Sequence, residues 1–320
     1  MAKDMLVAIG EALIDFIPDR KGCDFSEVTA FAPKLGGAPA NVCGAYSKLG
    51  GRSRLLTQLG DDPFGQKILS ELADCGIDTG CISLTDKANT ALAFVSLGAD
   101  GDRTFSFYRK PSADMLYQPE SVRAEYFDEA YALHFCSVSL GDFPMRDAHL
   151  AAITAARSRK AIVSFDPNLR FQLWSSREAL RQTVTRFIPL ADILKLSDEE
   201  LEFITGETEI EKALPRLMTG SVKLVIYTCG SGGAYAYTAD CSAHAPGKKV
   251  CAADTTGAGD GFIGSLLWKL NDMGIGAEQL SSLTEEQLRE ALRFSNEFCA
   301  RSVQKPGAID SYPDMHDYNV

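Results

Sequence analysis

No apolar run in this 320-residue chain is long enough to cross a bilayer, and no two of its nine cysteines stand at C-x-x-C spacing. The first absence excludes a membrane-spanning helix, and the second argues against a structural zinc site. The cysteines (Cys23, Cys43, Cys75, Cys81, Cys136, Cys229, Cys241, Cys251 and Cys299) are scattered, several of them in apolar runs, as reduced thiols of a cytosolic protein would be. Basic residues are also scarce: 32 Lys and Arg face 43 Asp and Glu, a net charge of −11. Such a balance excludes a general nucleic-acid or anionic-membrane surface. It also requires any bound phosphate to be held by local positive groups against an unfavourable mean field. The opening Met-Ala-Lys-Asp leads into an apolar stretch that Glu11 and Asp15 interrupt, so no signal peptide is read there and a cytoplasmic location is expected. Internal repeats, low-complexity tracts and long linkers are missing too.

What remains is ordinary globular material. Hydrophobic residues make up 45% of the chain, enough for a substantial core, and we expect a single domain over 1–320. Met5 to Ile9 reads as a strand. Pro39 to Leu49 reads as a helix with Val42, Ala45, Tyr46 and Leu49 on one face and Gly50 beyond its end; Pro63 to Cys75 repeats the scheme. Strands are expected at 131–136, 161–166, 192–196 and 223–229, each followed by a helical stretch. That βαβα order favours a doubly wound, mostly parallel sheet with helices on both faces. Residues 11–36 and 89–112 break the alternation. They lack helices, and 90–97 and 103–108 pair around the turn Asp100-Gly101-Asp102, so they are expected to form a small antiparallel β-sheet lid over the strand ends. The polar tail after Ile309 is expected to be poorly fixed.

The segment Asp254-Thr255-Thr256-Gly257-Ala258-Gly259-Asp260-Gly261 carries the most chemistry. Ile263, Leu266, Leu267 and Leu270 follow it at helical spacing, so the glycines stand at a helix N-terminus. Unpaired amides and the macrodipole make that end an anion site, and the missing Cβ atoms of Gly257 and Gly259 let a phosphate come close. Asp260 then places a proton acceptor beside the anion, the arrangement needed for an alcohol to attack a phosphoryl group. Two better-known nucleotide motifs fail. Gly60 and Gly65 have Walker spacing, but Gln66 replaces the lysine and two aspartates sit inside the loop. A G-x-G-x-x-G frame from Gly257 puts Phe262 at its third glycine.

LGGAPANVCGAYSKLG and LTQLGDDPFG at 35–65, with DTTGAGDGF at 254–262, resemble the two signature regions of the PfkB (ribokinase-like) carbohydrate kinases. Within that family GEALIDFIP, FYRKPSADMLY, SFDPNLRFQLW and ADILKLSDEELEFITG resemble bacterial and plant fructokinases. The likeness runs from about residue 5 to about residue 310. It implies a ribokinase-like α/β fold, ATP, Mg²⁺, and phosphorylation of a sugar primary hydroxyl, with D-fructose preferred over 2-keto-3-deoxygluconate as the small-molecule substrate. Asp260 is the implied general base, and the amides of Gly257, Ala258, Gly259 and Asp260 the implied cradle for the transferring phosphoryl group. Sugar contacts carry over onto Asp15, Gly36, Gly37, Asn41, Phe107, Arg109 and Arg170. Nucleotide contacts carry over onto Lys195, Thr228, Gly230, Gly233, Gly259 and Asn296.

The likeness also points Glu200 at Mg²⁺ through water, although Ser197-x-x-Glu200 reads equally as a capping box and the family's asparagine is absent. Asp254 and Thr256, with Ser302, Lys305, Gly307 and Ser311, resemble a potassium loop, or simply fix the turn. A lid of exposed strands has an edge and an apolar face to cover, so a homodimer through the lid is expected. A sugar sensor that has lost catalysis would be expected to lack the base or the glycines; both are intact.

Overall fold

Side chains alternate along the central strands, and this alternation sets the layers. In Ile162–Asp166, Ile162 enters one core while Val163 and Phe165 enter the other; in Ile193–Ser197, Ile193 and Leu194 part in the same way. A computed structural model describes residues 3–20, 22–98 and 103–318. Its main sheet has nine strands in the order Ser242–Ala245, Ala234–Tyr237, Leu224–Thr228, Ile193–Ser197, Ile162–Asp166, Ala130–Cys136, Met5–Ile9, Arg52–Leu56 and Ile77–Asp78. All pairs are parallel except the two made by Ala234–Tyr237.

Helices cover both faces. Pro144–Ser158, Arg177–Phe187, Asp198–Thr205 and Ile210–Leu217 pack Ala152, Val184, Leu201 and Ala213 against one face. Ala38–Lys48, Ala258–Asp272 and Glu285–Ser302 pack Val42, Leu267 and Leu292 against the other. Leu267 is fully buried there, and truncating it to alanine would cost about 2–5 kcal/mol. The parallel α/β fold of the sequence reading is therefore observed, with one correction. Leu224–Thr228 is followed by no α-helix, only by the single 3-10 turn Gly230–Gly232: Cys229 to Gly233 bring the chain back into the antiparallel strand Ala234–Tyr237.

The chain leaves Met5–Ile9 for Arg52–Leu56 on one side and later crosses to Ala130–Cys136 on the other. This reversal opens a crevice at the carboxyl ends of the strands, where ligands of such sheets bind. A second, separate sheet has four strands in the order Phe31–Gly36, Leu13–Pro18, Ala91–Leu97, Arg103–Tyr108. Its outer pairs are antiparallel as expected, but its central pair, Leu13↔Ala91 to Phe16↔Phe94, is parallel. The expected turn at Asp100-Gly101-Asp102 lies outside the described residues. One face of this sheet carries Leu13, Ala91, Ala93, Phe105 and Phe107. The other carries an aromatic cluster of Phe16, Phe25, Phe31, Phe94 and Tyr108, in which Phe25 is 50% and Tyr108 64% exposed.

The tail, as far as residue 318, is not loose. Ile309, Ser311 and Tyr312 are buried, and Ile309 fills the space left by Gly44, where an added Cβ would stand 2.7 Å from its Cγ1. Two apolar anchors outweigh a polar composition here. Among the described residues all nine cysteines are free, and no helix is long and apolar enough to cross a membrane.

Candidate active site

Gly257 caps the helix Ala258–Asp272 in the left-handed region, φ 71°. An added Cβ there would meet Ala308 Cβ and the Tyr312 hydroxyl, both at 2.7 Å, and that hydroxyl donates to the Gly257 carbonyl at 2.7 Å. Glycine at 257 is thus fixed by both conformation and space. Of the four amides expected at this end, Ala258 closes the turn onto the Thr255 carbonyl at 3.2 Å. The amides of Gly257, Gly259 and Asp260 have no acceptor among the described residues. They stand at the positive end of the helix, ready for an anion.

Asp260, in the first turn, is 7% exposed. Its Oδ2 accepts from the Asn41 side-chain amide at 2.9 Å and its Oδ1 from the Asn168 side-chain amide at 3.1 Å. Burial raises the Asp260 pKa. The Asn41 bond, the Arg170 and Lys195 charges and the Asn168 bond draw it part of the way back. A buried carboxylate kept ionised by donors, with its basicity raised, is suited to accept a proton. The other end of the Asn41 amide, Oδ1, is buried without a partner. An orphan acceptor beside a base marks room for a donor from outside the protein.

Lys195 Nζ lies 2.8 Å from Asp166 Oδ2, and both are buried. Burial works against the Lys195 charge, but Asp166, Glu200 and Asp260 outweigh it and raise its pKa. An added Cβ at Gly259 would stand 3.1 Å from Lys195 Nζ, so this cation lies directly under the helix N-terminus. Glu200 does form the capping box, accepting from the Ser197 amide at 2.9 Å, and its other oxygen accepts from the Leu169 amide at 2.9 Å.

The expected sugar residues fall in two groups. Gly36, Gly37, Asp15 and Asn41 gather where the second sheet meets the helix Ala38–Lys48. Asp15 Oδ2 lies 2.3 Å from where a Gly36 Cβ would be, and a Cβ at Gly37 (φ 109°) would sit 2.5 Å from the Glu11 carbonyl. The paired glycines are thus required first by this close crossing. Arg170 approaches the Asp260 carboxylate. Phe107 stacks on Phe105 at 5.7 Å within the second sheet. Arg109 turns inward: it is buried and ion-paired with Asp114, and faces Glu11, whose carboxyl accepts from Ser139 and the Ala38 amide.

The nucleotide residues meet in one cleft of about 570 Å³, lined by Thr228, Gly230, Gly233, Gly259 and Asn296 together with Ser231, Phe262, Cys299 and Val303. Gly233 (φ 97°) lies so close to the Ala245 carbonyl that a Cβ would stand 2.2 Å away. Asn296 donates to that same carbonyl at 2.9 Å. Lys195 is not in the lining; it supports the cleft from below through Gly259.

Around the expected cation loop, Asp254 Oδ1 accepts from the Thr256 amide at 2.9 Å and hydroxyl at 2.6 Å, and its Oδ2 accepts from the Gly307 amide at 2.9 Å. Ser302 and Ser311 share a hydrogen bond of 2.7 Å, and the Lys305 amide donates to the Ser302 carbonyl at 3.0 Å. The six residues fall into two hydrogen-bonded sets, Asp254 with Thr256 and Gly307, and Ser302 with Lys305 and Ser311. Among the described residues no group of three or more His, Cys, Asp or Glu could hold a metal ion. Sequence reasoning missed Asn168 and Asp166. Both stand in the quoted DPNLR run, but only its arginine had been singled out, and nothing local marks an asparagine as a partner for a residue 92 positions away.

A family model described as pfkB family carbohydrate kinase matches residues 3–315. Fructokinase-1 of Zea mays is 42% identical over 313 residues, spanning 97% of this chain and 95% of the relative. A crystal structure of fructokinase with bound ATP from Xylella fastidiosa superposes with a TM-score of 0.91 at 33% identity, covering 98% of this chain and 97% of that one. A double-mutant fructokinase from Vibrio cholerae O395, in a fructose, ADP and potassium ion bound form, gives 0.87 at 33% identity, with 99% and 98% covered.

Proposed function

The chain belongs to the pfkB family of carbohydrate kinases, and from that we propose that it transfers the terminal phosphoryl group of ATP to the primary hydroxyl of D-fructose, giving fructose 6-phosphate. One observation carries the reading: the buried Asp260 carboxylate, held by Asn41 and Asn168, stands one residue from Gly259 and its unpaired amide. Asp260 accepts the hydroxyl proton while the new oxygen–phosphorus bond forms and the bond to the ADP oxygen breaks. The amides of Gly257, Gly259 and Asp260 receive the charge on the transferring phosphoryl oxygens. General-base action supplies about 10²–10⁴-fold, roughly 3–5.5 kcal/mol of the barrier. The Asn41 Oδ1 orphan and Asp15 accept from sugar hydroxyls, and Arg170 holds the acceptor near Asp260.

Mg²⁺ fits as an ion carried by the phosphates, since the site offers no closed cage of its own carboxylates; Glu200, with one amide on each oxygen, keeps lone pairs for a metal-bound water. When bound, the ion neutralises phosphate charge. A potassium ion at the Asp254–Ser311 loop would order the turn beneath Gly257; a Vibrio fructokinase similar to this chain is described in a potassium ion bound form. The second sheet acts as a lid within one domain over 1–320, excluding water so that sugar outcompetes hydrolysis. Its exposed aromatic face supports a homodimer, which light scattering would report as a doubled mass. Nine free cysteines suit a cytosolic setting.

The test is a coupled ADP-release assay over hexoses and 2-keto-3-deoxygluconate, with and without potassium. Fructose should give the highest kcat/KM, and potassium should raise it. Preference for the keto acid would move the assignment to the related kinase, and no ADP release with any acceptor would contradict kinase activity.

A further inference from the structure

The loop after the strand Ile162–Asp166 is fixed at every residue. Asp166 Oδ1 accepts from the Asn168 amide at 3.2 Å, and its Oδ2 receives Lys195. The Pro167 carbonyl accepts from the Ser137 amide at 3.1 Å. The Leu169 amide is taken by Glu200. Between these anchors Asn168 adopts φ 44°, one of two non-glycine residues with positive φ among the described residues. Asparagine tolerates that region better than most residues, but glycine fits it without steric cost. Backbone geometry alone therefore does not call for asparagine. What glycine could not supply is the side-chain donor, which reaches Asp260 Oδ1 at 3.1 Å.

We infer that Asn168 is a positioning residue for the phosphoryl-transfer step: held by the Lys195–Asp166 pair through its own backbone, it fixes one oxygen of Asp260 so that the carboxylate meets the acceptor hydroxyl in one orientation. Asn41 fixes the other oxygen from the opposite element. Each oxygen keeps one further lone pair, and neither can rotate away without losing a buried hydrogen bond. The charged or titratable groups that also bear on Asp260 are Lys195, Asp166, Arg170, Tyr312 and Cys136. None of them donates to Oδ1. This role rests on Asp260 being the base.

The test compares Asn168→Gly, which keeps the positive-φ backbone and removes only the amide, with Asn168→Asp, which keeps shape and turn but replaces the donor by an acceptor. Both should retain the wild-type melting temperature within a few degrees and ATP KM within about twofold, while kcat falls about ten- to a hundredfold. Loss of the donor destabilises the ionised carboxylate, so the acid limb of kcat/KM should move to higher pH, further in Asn168→Asp, where a like charge is added. Wild-type kcat in either variant, or a loss of activity matched by lost folded protein, overturns the inference. Asp260→Asn measured in parallel separates the two claims. If Asp260→Asn stays active, the base assignment itself is wrong; if it is inactive while the Asn168 variants are normal, only the inference falls.

Discussion

The two halves of the site are built from different materials. The acceptor side is made mostly of side chains: Asp260, Asn41, Asn168, Asp166 and Lys195 are buried or partly buried and joined by directional bonds of 2.8–3.2 Å. The nucleotide side is mostly backbone and space, a cleft edged by Gly230, Gly233 and Gly259 in which a missing Cβ matters more than any functional group. Removing a functional group should therefore act on the rate on the first side. Adding a methyl should act on binding and folding on the second.

The largest separation is expected from Asp260→Asn. It keeps the volume and removes the proton acceptor, so kcat should fall about 10²–10⁴-fold. Calorimetry should still show ATP and fructose binding within a few-fold of wild type. A variant that lost both affinities together would break the comparison. Gly257→Ala comes next, at the helix N-terminus where the two halves meet. It forces alanine to φ 71° and drives a Cβ against Ala308 and Tyr312. Left-handed backbone alone costs about 1–2 kcal/mol, visible as a lower denaturation midpoint, and ATP KM should rise more than kcat falls. The smallest effect is in pH. Burial favours the neutral acid at Asp260, so its pKa in the free enzyme lies above the ordinary aspartate value of 3.8. Activity must then be lost as pH falls through that raised value. An acid limb of kcat/KM for fructose at or below 3.8 would show that Asn41, Arg170, Lys195 and Asn168 together outweigh burial.

The same contrast explains what could be read in the chain. DTTGAGDG announces itself because glycines, helix start and carboxylate are consecutive. Leu13 pairing with Ala91 in parallel does not, because 78 positions separate the partners and no turn links them. The βαβα alternation calls for a helix after Leu224–Thr228, yet the positive φ values of Gly230 and Gly233 turn the chain into a hairpin. Tail composition misled for another reason: two buried residues, Ile309 and Tyr312, hold a polar segment. At the site, Asp260 and Asn41 lay in recognisable motifs. The Asn168 contact depends on a loop conformation set by Asp166, Ser137 and Glu200, which no local pattern encodes.

The most direct test of the account is a crystal structure of the protein closed around fructose and a non-hydrolysable ATP analogue. It should place the primary hydroxyl oxygen about 2.6–3.2 Å from an Asp260 carboxylate oxygen, with the terminal phosphate over Gly259. A closed complex in which that hydroxyl meets some other base, and Asp260 only its two asparagines, would contradict it.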